Sequence, residues 1–188
     1  GERYTSFLKE TSLKSSSAQG IIFPETHAVL VTGGTRGLGL LCARHLVTRY
    51  GVKRLVLTGR ECVPPPEEWT NREAFSSSIQ EKIRSIEELE SLGAKLQVRT
   101  FPLDDPEEMK AQYEDIKASM GPVTGIIHAA GSSDIDNPAF IRKTPESVSR
   151  ILSPKVEGLN HLMQMVDPRE LKFVLLFSSV SSIIPVLG

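Results

Sequence analysis

From His27 onward, apolar runs of strand length alternate with stretches of helical periodicity. Such alternation is typical of βαβ units, in which helices cover both faces of a parallel sheet, and it restricts the chain to an α/β fold. The predicted strands are Ala28 to Thr32, Arg54 to Thr58, Lys95 to Phe101, Gly125 to Ala129 and Lys172 to Phe177. The sequence therefore predicts a doubly wound parallel sheet that stops after its fifth strand.

The predicted helices follow from apolar side chains repeated at intervals of three and four residues. Two such sets are Leu38, Leu41, Cys42, His45 and Leu46, and Ile79, Ile83, Ile86, Leu89 and Leu92. Gly51 and Gly93 are expected to end these helices, and a third helix is predicted from Pro106 to Met120, behind the Asp104-Asp105 pair. The proline-rich segment from Val63 to Trp69 is too long for an ordinary strand-to-helix loop and predicts an irregular insertion at the sheet's edge.

Composition and charge exclude several classes of protein. The chain has 188 residues, enough for one domain with a sizeable core, and a net charge of -1 gives no overall basic field for nucleic acid or an anionic membrane. No apolar stretch reaches the roughly 20 residues of a membrane span. Cys42, Cys62 and the histidines lack the spacing of metal ligands. We therefore expect a cytoplasmic protein without metal, membrane or nucleic-acid partners, whose ligand is recognised at a local site.

A glycine-rich turn follows the first strand directly. It reads Thr32-Gly33-Gly34-Thr35-Arg36-Gly37-Leu38-Gly39 and opens a helix. Glycines at such a turn allow a dinucleotide pyrophosphate to reach backbone N–H groups at the helix N-terminus. The spacing differs from the common Gly-x-Gly-x-x-Gly pattern, and glycine turns also exist for packing alone, but the position between strand and helix favours a Rossmann-type cofactor site made by these residues.

The charge at the end of the second strand bears on which coenzyme binds. Dinucleotide folds that prefer NAD usually carry an acidic side chain there, whereas this strand ends Leu57-Thr58-Gly59-Arg60. A guanidinium pairs with a ribose 2′-phosphate, and Arg36 is a second cation directed at the same place. Two arginines at this point favour NADPH. Asp104 would then reach the adenine amino group, or else cap the third helix.

The remaining strand ends carry more specific motifs, His128-Ala129-Ala130-Gly131 and Phe177-Ser178-Ser179-Val180-Ser181. Together with the glycine turn, they resemble the short-chain dehydrogenase/reductase family. From His27 to the end, the chain resembles the ketoreductase domain of modular polyketide synthases more closely, through Val31-Thr32-Gly33-Gly34, Leu57-Thr58-Gly59-Arg60, Ile127 to Gly131, Pro154-Lys155-Val156-Glu157-Gly158 and Leu176-Phe177-Ser178-Ser179. The proline-rich insertion and the segment from Phe140 to Thr144 are most similar to bacterial synthases supplied by free-standing acyltransferases.

The resemblance implies roles for individual residues. Ser179 would hydrogen-bond the substrate carbonyl, and Lys155, 24 residues earlier, would be the catalytic lysine on the helix before strand five. A cation at that place lowers the pKa of the family's active tyrosine. Ala129, Ala130 and Gly131 would be small so that the cofactor can approach the backbone. His128, at a buried strand end, is interpreted as a structural histidine.

The resemblance also implies a tyrosine and an asparagine beyond Gly188, and Tyr4, Tyr50 and Tyr113 do not match that place. We therefore expect a portion of a longer ketoreductase. In it, residues 1–27 would be an N-terminal arm from a preceding structural subdomain, and residues 28–188 the NADPH-binding catalytic subdomain, incomplete at its C-terminus. The segment Ser132 to Asp136 partly matches the Leu-Asp-Asp motif of ketoreductases of one stereochemical hand.

The implied reaction is NADPH-dependent reduction of a 3-oxoacyl, or related keto, thioester to the hydroxyacyl thioester in polyketide biosynthesis. The substrate would be held on the phosphopantetheine arm of an acyl carrier protein, and the other partners would be neighbouring synthase domains. Two alternatives stay open. The chain could be a non-catalytic Rossmann scaffold or nucleotide-binding module, or a free-standing short-chain reductase acting on a small ketone.

Overall fold

The computed structural model describes residues 20–131 and 140–179, together with Arg3, Phe7, Lys9, Glu10 and Ile183. Strands and helices alternate along most of this chain. In order they are β1 (Ala28–Thr32), α1 (Gly37–Tyr50), β2 (Arg54–Gly59), a 3-10 helix (Pro66–Ala74), α2 (Ser77–Ser91), β3 (Lys95–Thr100), α3 (Pro106–Met120), β4 (Val123–His128), a short 3-10 turn (Phe140–Arg142), α4 (Pro145–Leu152), α5 (Glu157–Met165) and β5 (Phe173–Leu176).

The five strands form one sheet in the order β3-β2-β1-β4-β5. Every pairing is parallel, and Thr32 at the end of β1 lies between Thr58 of β2 and His128 of β4. The predicted Rossmann-type sheet is therefore confirmed. Because the chain moves outward in opposite directions from β1, the carboxyl ends of β1 and β4 border the crevice at which such sheets bind ligands.

Two buried clusters occupy opposite faces of the sheet. Side chains alternate between the faces of a strand, so Ala28 and Leu30 of β1 pack with α3 and α5, while Val29 and Val31 pack with α1 and α2. The strands β1 and β4 are buried along their whole length. Helices on both faces thus produce the doubly wound arrangement that the sequence predicted, and they hold the strand ends in fixed positions.

The proline-rich segment is more regular than predicted. Residues Pro66–Ala74 form a 3-10 helix with a kink at Asn71, rather than an irregular loop. The indole of Trp69 packs against Ile79, Ile83 and Ile86 of α2, and its Nε1 donates to the Pro64 carbonyl oxygen at 2.8 Å. This cluster also contacts the edge strand β3, so the insertion lies at the sheet's edge as expected.

The residues that precede β1 pack onto the end of the sheet. The ring of Phe23 meets the rings of Tyr50 and Phe173 edge-on, with centroids 6.4 and 5.8 Å apart. The Lys172 ammonium donates to the Ile22 carbonyl oxygen. Most of the predicted arm, residues 1–27, lies outside the described residues, which include only Arg3, Phe7, Lys9, Glu10 and residues 20–27 of it. In the described part of the chain, no helix has the length and apolar character needed to cross a membrane.

Candidate functional site

A cleft of about 800 Å³ opens at the carboxyl ends of the strands. Its wall includes most of the predicted cofactor residues: Gly33, Thr35, Arg36, Gly37, Leu38, Gly39, Arg60, Asp104, Ala129, Ala130 and Gly131. Sequence reasoning missed the other wall residues: Thr58, Gly59, residues 100–103, Glu108, Arg150, Ser153 and Pro154. Four separate strand ends thus contribute to one elongated site.

The glycine turn is packed so closely that a Cβ would overlap backbone atoms at three of its four glycines, Gly33, Gly34 and Gly39. Gly33 has a φ of 66°, and a Cβ there would lie 2.7 Å from the Ala129 carbonyl oxygen. A Cβ on Gly39 would overlap the Gly33 carbonyl oxygen. Gly37 also needs a positive φ, 56°, but a Cβ there would meet nothing within 4 Å. The turn therefore leaves open space above the start of α1.

Thr32 and Gly34, two predicted cofactor residues, lie beneath the turn and not in the wall of the cleft. Thr32 is fully buried, and the N–H of Gly34 donates to the Thr58 carbonyl oxygen at 2.9 Å. The side chain of Thr35 is also buried, and it occupies the space that a Cβ on Gly59 would need. These contacts fix the turn to β2.

The N-terminus of α1 differs from those of α2, α3 and α4. Ser76, Asp105 and Thr144 each cap a helix by accepting a hydrogen bond from a backbone N–H of the first turn. Arg36 at the start of α1 makes no such bond among the described residues, and the first turn of α1 holds no acidic side chain. Its N–H groups and the positive end of the helix dipole therefore face the cleft, as an anion-binding helix requires.

The structure brings both predicted arginines to one end of the cleft. Arg36 and Arg60 are exposed and line its wall. Beside them is an acidic residue that sequence reasoning overlooked, Glu61. The Lys82 ammonium and the Ser78 hydroxyl, both on α2, donate to its Oε2. Both hydrogen bonds lower the pKa of the Glu61 carboxyl group, and the bond from Lys82 has the larger effect.

The two aspartates before α3 have separate positions. Asp105 caps the helix, since its Oδ1 accepts from the Glu108 N–H at 3.0 Å. Asp104, for which a capping role and an adenine contact were both open, lines the cleft. It lies in the segment after β3, which α5 supports: the His161 ring hydrogen-bonds the Leu103 carbonyl oxygen at 3.0 Å.

His128 joins three segments beneath the cleft. Its Nε2 lies 2.9 Å from the Pro154 carbonyl oxygen and its Nδ1 lies 2.7 Å from the Thr32 hydroxyl. Because a carbonyl only accepts, Nε2 carries the proton and Nδ1 accepts from Thr32. Burial lowers the pKa of His128, against the opposing effect of the Pro154 bond, so the ring is neutral at pH 7. Thr32 Oγ1 in turn accepts from the Ala130 N–H at 3.4 Å.

Lys155 lies beside the end of β4, but not on a helix as predicted. Residues 153–156 form a turn between α4 and α5. A Cβ on Gly131 would lie 3.2 Å from Lys155 Cε, so the lysine side chain runs past Gly131. The same turn is attached to β4, because the Pro154 carbonyl oxygen accepts a hydrogen bond from His128. The close approach of Gly131 to the Lys155 side chain is a contact that the sequence motif alone could not specify.

Ser179 follows β5 on the same side of the sheet. His128 of β4 pairs with Leu176 of β5, and Gly131 and Ser179 each lie three residues further on. The carboxyl ends of parallel strands lie on the same side of the sheet, so both residues lie on the side where the cleft opens. Ser179 is exposed. Val180, Ser181 and the segment Ser132 to Asp136 lie outside the described residues.

Neither tyrosine of the described ranges lines this cleft. Tyr113 is buried on α3, and burial raises the pKa of its hydroxyl to about 12. Tyr50 lies at the other end of α1, against Phe23 and His45. Residues 20–131 and 140–179 also contain no group of three or more His, Cys, Asp or Glu side chains that could hold a metal ion.

A parallel sheet with a glycine-rich turn and an uncapped helix N-terminus at its crevice defines the class of dinucleotide-binding α/β proteins. Comparison with known proteins narrows this class. The model of the KR domain family matches residues 27–188. The chain therefore belongs to the KR domain family.

Individual relatives agree with this assignment. The chain is 46% identical to polyketide synthase PksL of Bacillus subtilis over 189 residues, which is all of this chain and 4% of PksL. A ketoreductase domain from the bacillaene assembly line is 33% identical with a TM-score of 0.72, over 89% of this chain and 37% of that one. A 3-oxoacyl-[acyl-carrier protein] reductase from Brucella melitensis, solved in complex with NAD, is 25% identical with a TM-score of 0.65, over 85% and 58%. The chain thus spans a small part of PksL.

Proposed function

We propose that this chain is the NADPH-binding part of a ketoreductase that reduces a 3-oxoacyl, or related keto, thioester to the hydroxyacyl thioester in polyketide biosynthesis. The substrate would be held on the phosphopantetheine arm of an acyl carrier protein, next to neighbouring synthase domains. One observation carries the proposal: Lys155 passes Gly131 at the end of a cleft whose opposite end holds two arginines. The names of the related synthases and reductases support it.

The residues present fit a nicotinamide dinucleotide. The open space above Gly37 and the uncapped N–H groups of α1 suit a pyrophosphate. Arg36 and Arg60 would bind the ribose 2′-phosphate, and Asp104 would accept a hydrogen bond from the adenine amino group. A charge-assisted hydrogen bond contributes about 1.5 to 3 kcal/mol, so each arginine favours NADPH over NADH by about tenfold or more.

Ala129, Ala130 and Gly131 would form the nicotinamide end, because their small side chains leave the backbone accessible. The bound coenzyme supplies a hydride to the carbonyl carbon. The Ser179 hydroxyl would donate a hydrogen bond to the carbonyl oxygen, where negative charge develops. The Lys155 ammonium would stabilise the same charge and lower the pKa of the group that delivers the proton.

We also propose that residues 28–188 form the catalytic subdomain and that residues 1–27 are the arm of a preceding subdomain. The contacts of Phe23 with Tyr50 and Phe173 indicate that the end of this arm packs directly on the sheet. The proton donor is neither Tyr50 nor Tyr113, for both lie away from the cleft.

The test is whether the full-length protein reduces a 3-oxoacyl thioester. The reaction is monitored through the loss of absorbance of the reduced nicotinamide. Lys155→Met is expected to lower kcat by about a hundredfold or more, with the KM for NADPH changed little. Lys110→Met is the matched control, because Lys110 is exposed on α3 and outside the wall of the cleft.

Arg60→Ala is expected to raise the KM for NADPH by about tenfold and leave that for NADH unchanged. Its control is Arg49→Ala, in the last turn of α1. Coenzyme binding without turnover of any keto thioester would instead support a nucleotide-binding module. An unchanged kcat in Lys155→Met would contradict the proposed role of the lysine.

A further inference from the structure

An acidic residue beside a 2′-phosphate site should oppose NADPH binding. Glu61 directly follows Arg60 in the chain, and Arg36 lies close enough to contribute to the lowered pKa of the Glu61 carboxyl group. An unrestrained carboxylate there would pair with one of the two guanidinium groups and repel a phosphate. In the structure, the Glu61 carboxylate is instead paired with two side chains of α2, Lys82 and Ser78.

The carboxylate of Glu61 is held from the side of α2. Its Oε2 accepts from Lys82 Nζ and from Ser78 Oγ, the latter at 3.0 Å. The Lys82 side chain is only 7% exposed, whereas that of Glu61 is 47% exposed. A buried ammonium needs a partner far more than an exposed carboxylate does. The strength of this pair therefore comes from Lys82, which lies between Ile79 and Ile83 in the apolar cluster of α2.

We propose that Lys82 and Ser78 are specificity-determining positioning residues that hold the Glu61 carboxylate on α2, so that Arg36 and Arg60 remain available to a 2′-phosphate. This inference rests on the proposed use of NADPH. Lys82 would not touch the coenzyme. It would act on the coenzyme only through charge, because the Glu61 carboxylate that it binds on α2 cannot then neutralise Arg36 or Arg60.

Lys82→Met tests the inference, because methionine suits a buried position and removes the cation. Glu61 then keeps its charge without its main partner, and Arg36 becomes the cation that can pair with it. The probes are an adenosine bisphosphate that carries the 2′-phosphate and AMP, which lacks it. Their dissociation constants on the full-length protein are measured by calorimetry at fixed ionic strength.

We expect Lys82→Met to weaken the bisphosphate by about threefold to tenfold and to leave AMP unchanged. Adding Glu61→Gln to the same protein should restore the wild-type ratio, because the competing charge is then gone. Lys117→Met is the matched control, since it removes the exposed Lys117–Glu114 pair on α3, away from the cleft.

The outcomes separate this inference from the proposed function. If the wild-type protein binds both probes equally, NADPH selectivity itself is wrong. If it prefers the bisphosphate but Lys82→Met keeps the full ratio, the positioning role is wrong while the proposed function stands. Should Lys82→Met fail to fold, Glu61→Gln alone decides: bisphosphate binding that is equal or tighter supports the inference, and weaker binding overturns it.

Discussion

Replacement of Gly33 by alanine tests whether the glycine turn is required by close packing against β4. The residue has a φ of 66°, where an L side chain costs about 1 to 2 kcal/mol. Its Cβ would also lie 2.7 Å from the Ala129 carbonyl oxygen, about 0.7 Å inside the 3.4 Å at which ordinary contact begins. Backbone atoms cannot yield as a flexible side chain does, and overpacking of this kind costs about 1 to 3 kcal/mol. The expected total loss is about 2 to 5 kcal/mol.

Gly51→Ala is the matched control. Gly51 has nearly the same φ, 65°, but a Cβ there would meet nothing within 4 Å. It therefore carries only the conformational cost of about 1 to 2 kcal/mol. The difference between the two variants measures the close approach of the turn to β4 alone.

Hydrogen exchange of backbone amides in β1 and β4 of the full-length protein measures the free energy of opening in each variant. Gly33→Ala should lower that free energy more than Gly51→Ala does, and it should also weaken coenzyme binding. Equal losses in the two variants would refute the reasoning, because the Ala129 contact would then carry no energy.

Two further predictions concern the other end of the cleft. Gly131→Val should lower kcat about tenfold and change the melting temperature little, because its Cβ would displace the flexible end of Lys155; an unchanged kcat in the ketoreductase assay would contradict this. The free energy of opening should fall as the pH drops below 6.5 in the wild-type protein, because burial lowers the pKa of His128 in the folded state and only the unfolded state then gains a proton. Hydrogen exchange at several pH values should show this fall much reduced in His128→Gln.

Much of the fold could be predicted because hydrophobic periodicity dominates it. Helix α3 has the predicted bounds Pro106–Met120, and β1 has the predicted bounds Ala28–Thr32. The strand β4 extends from Val123 to His128 rather than from Gly125 to Ala129, since Val123 pairs with Ala28 across a register shift. Helix α4 was not predicted: it is only eight residues long, none of its side chains is fully buried, and its start is fixed by the Thr144 capping box.

The parts of the site that could not be predicted depend on contacts between distant residues. Glu61 and Lys82 are 21 residues apart, on either side of the 3-10 helix, so neither position indicates the other. Lys155 was expected on a helix because the family resemblance implies that place for the catalytic lysine, but α5 begins only at Glu157. The turn that carries it is held against β4 by the bond between Pro154 and His128, which joins residues 26 positions apart.

His128 shows how the two ends of the site depend on one another. One neutral imidazole binds the Thr32 hydroxyl, directly before the glycine turn, and the Pro154 carbonyl, directly before Lys155. Both bonds are directional and use the two ring nitrogens in opposite senses. A protonated ring would present two donors, so the Thr32 hydroxyl would have to turn and accept instead of donating. The glycine turn and Lys155 therefore share one buried support, and a shift of either segment strains its bond to the ring that also holds the other.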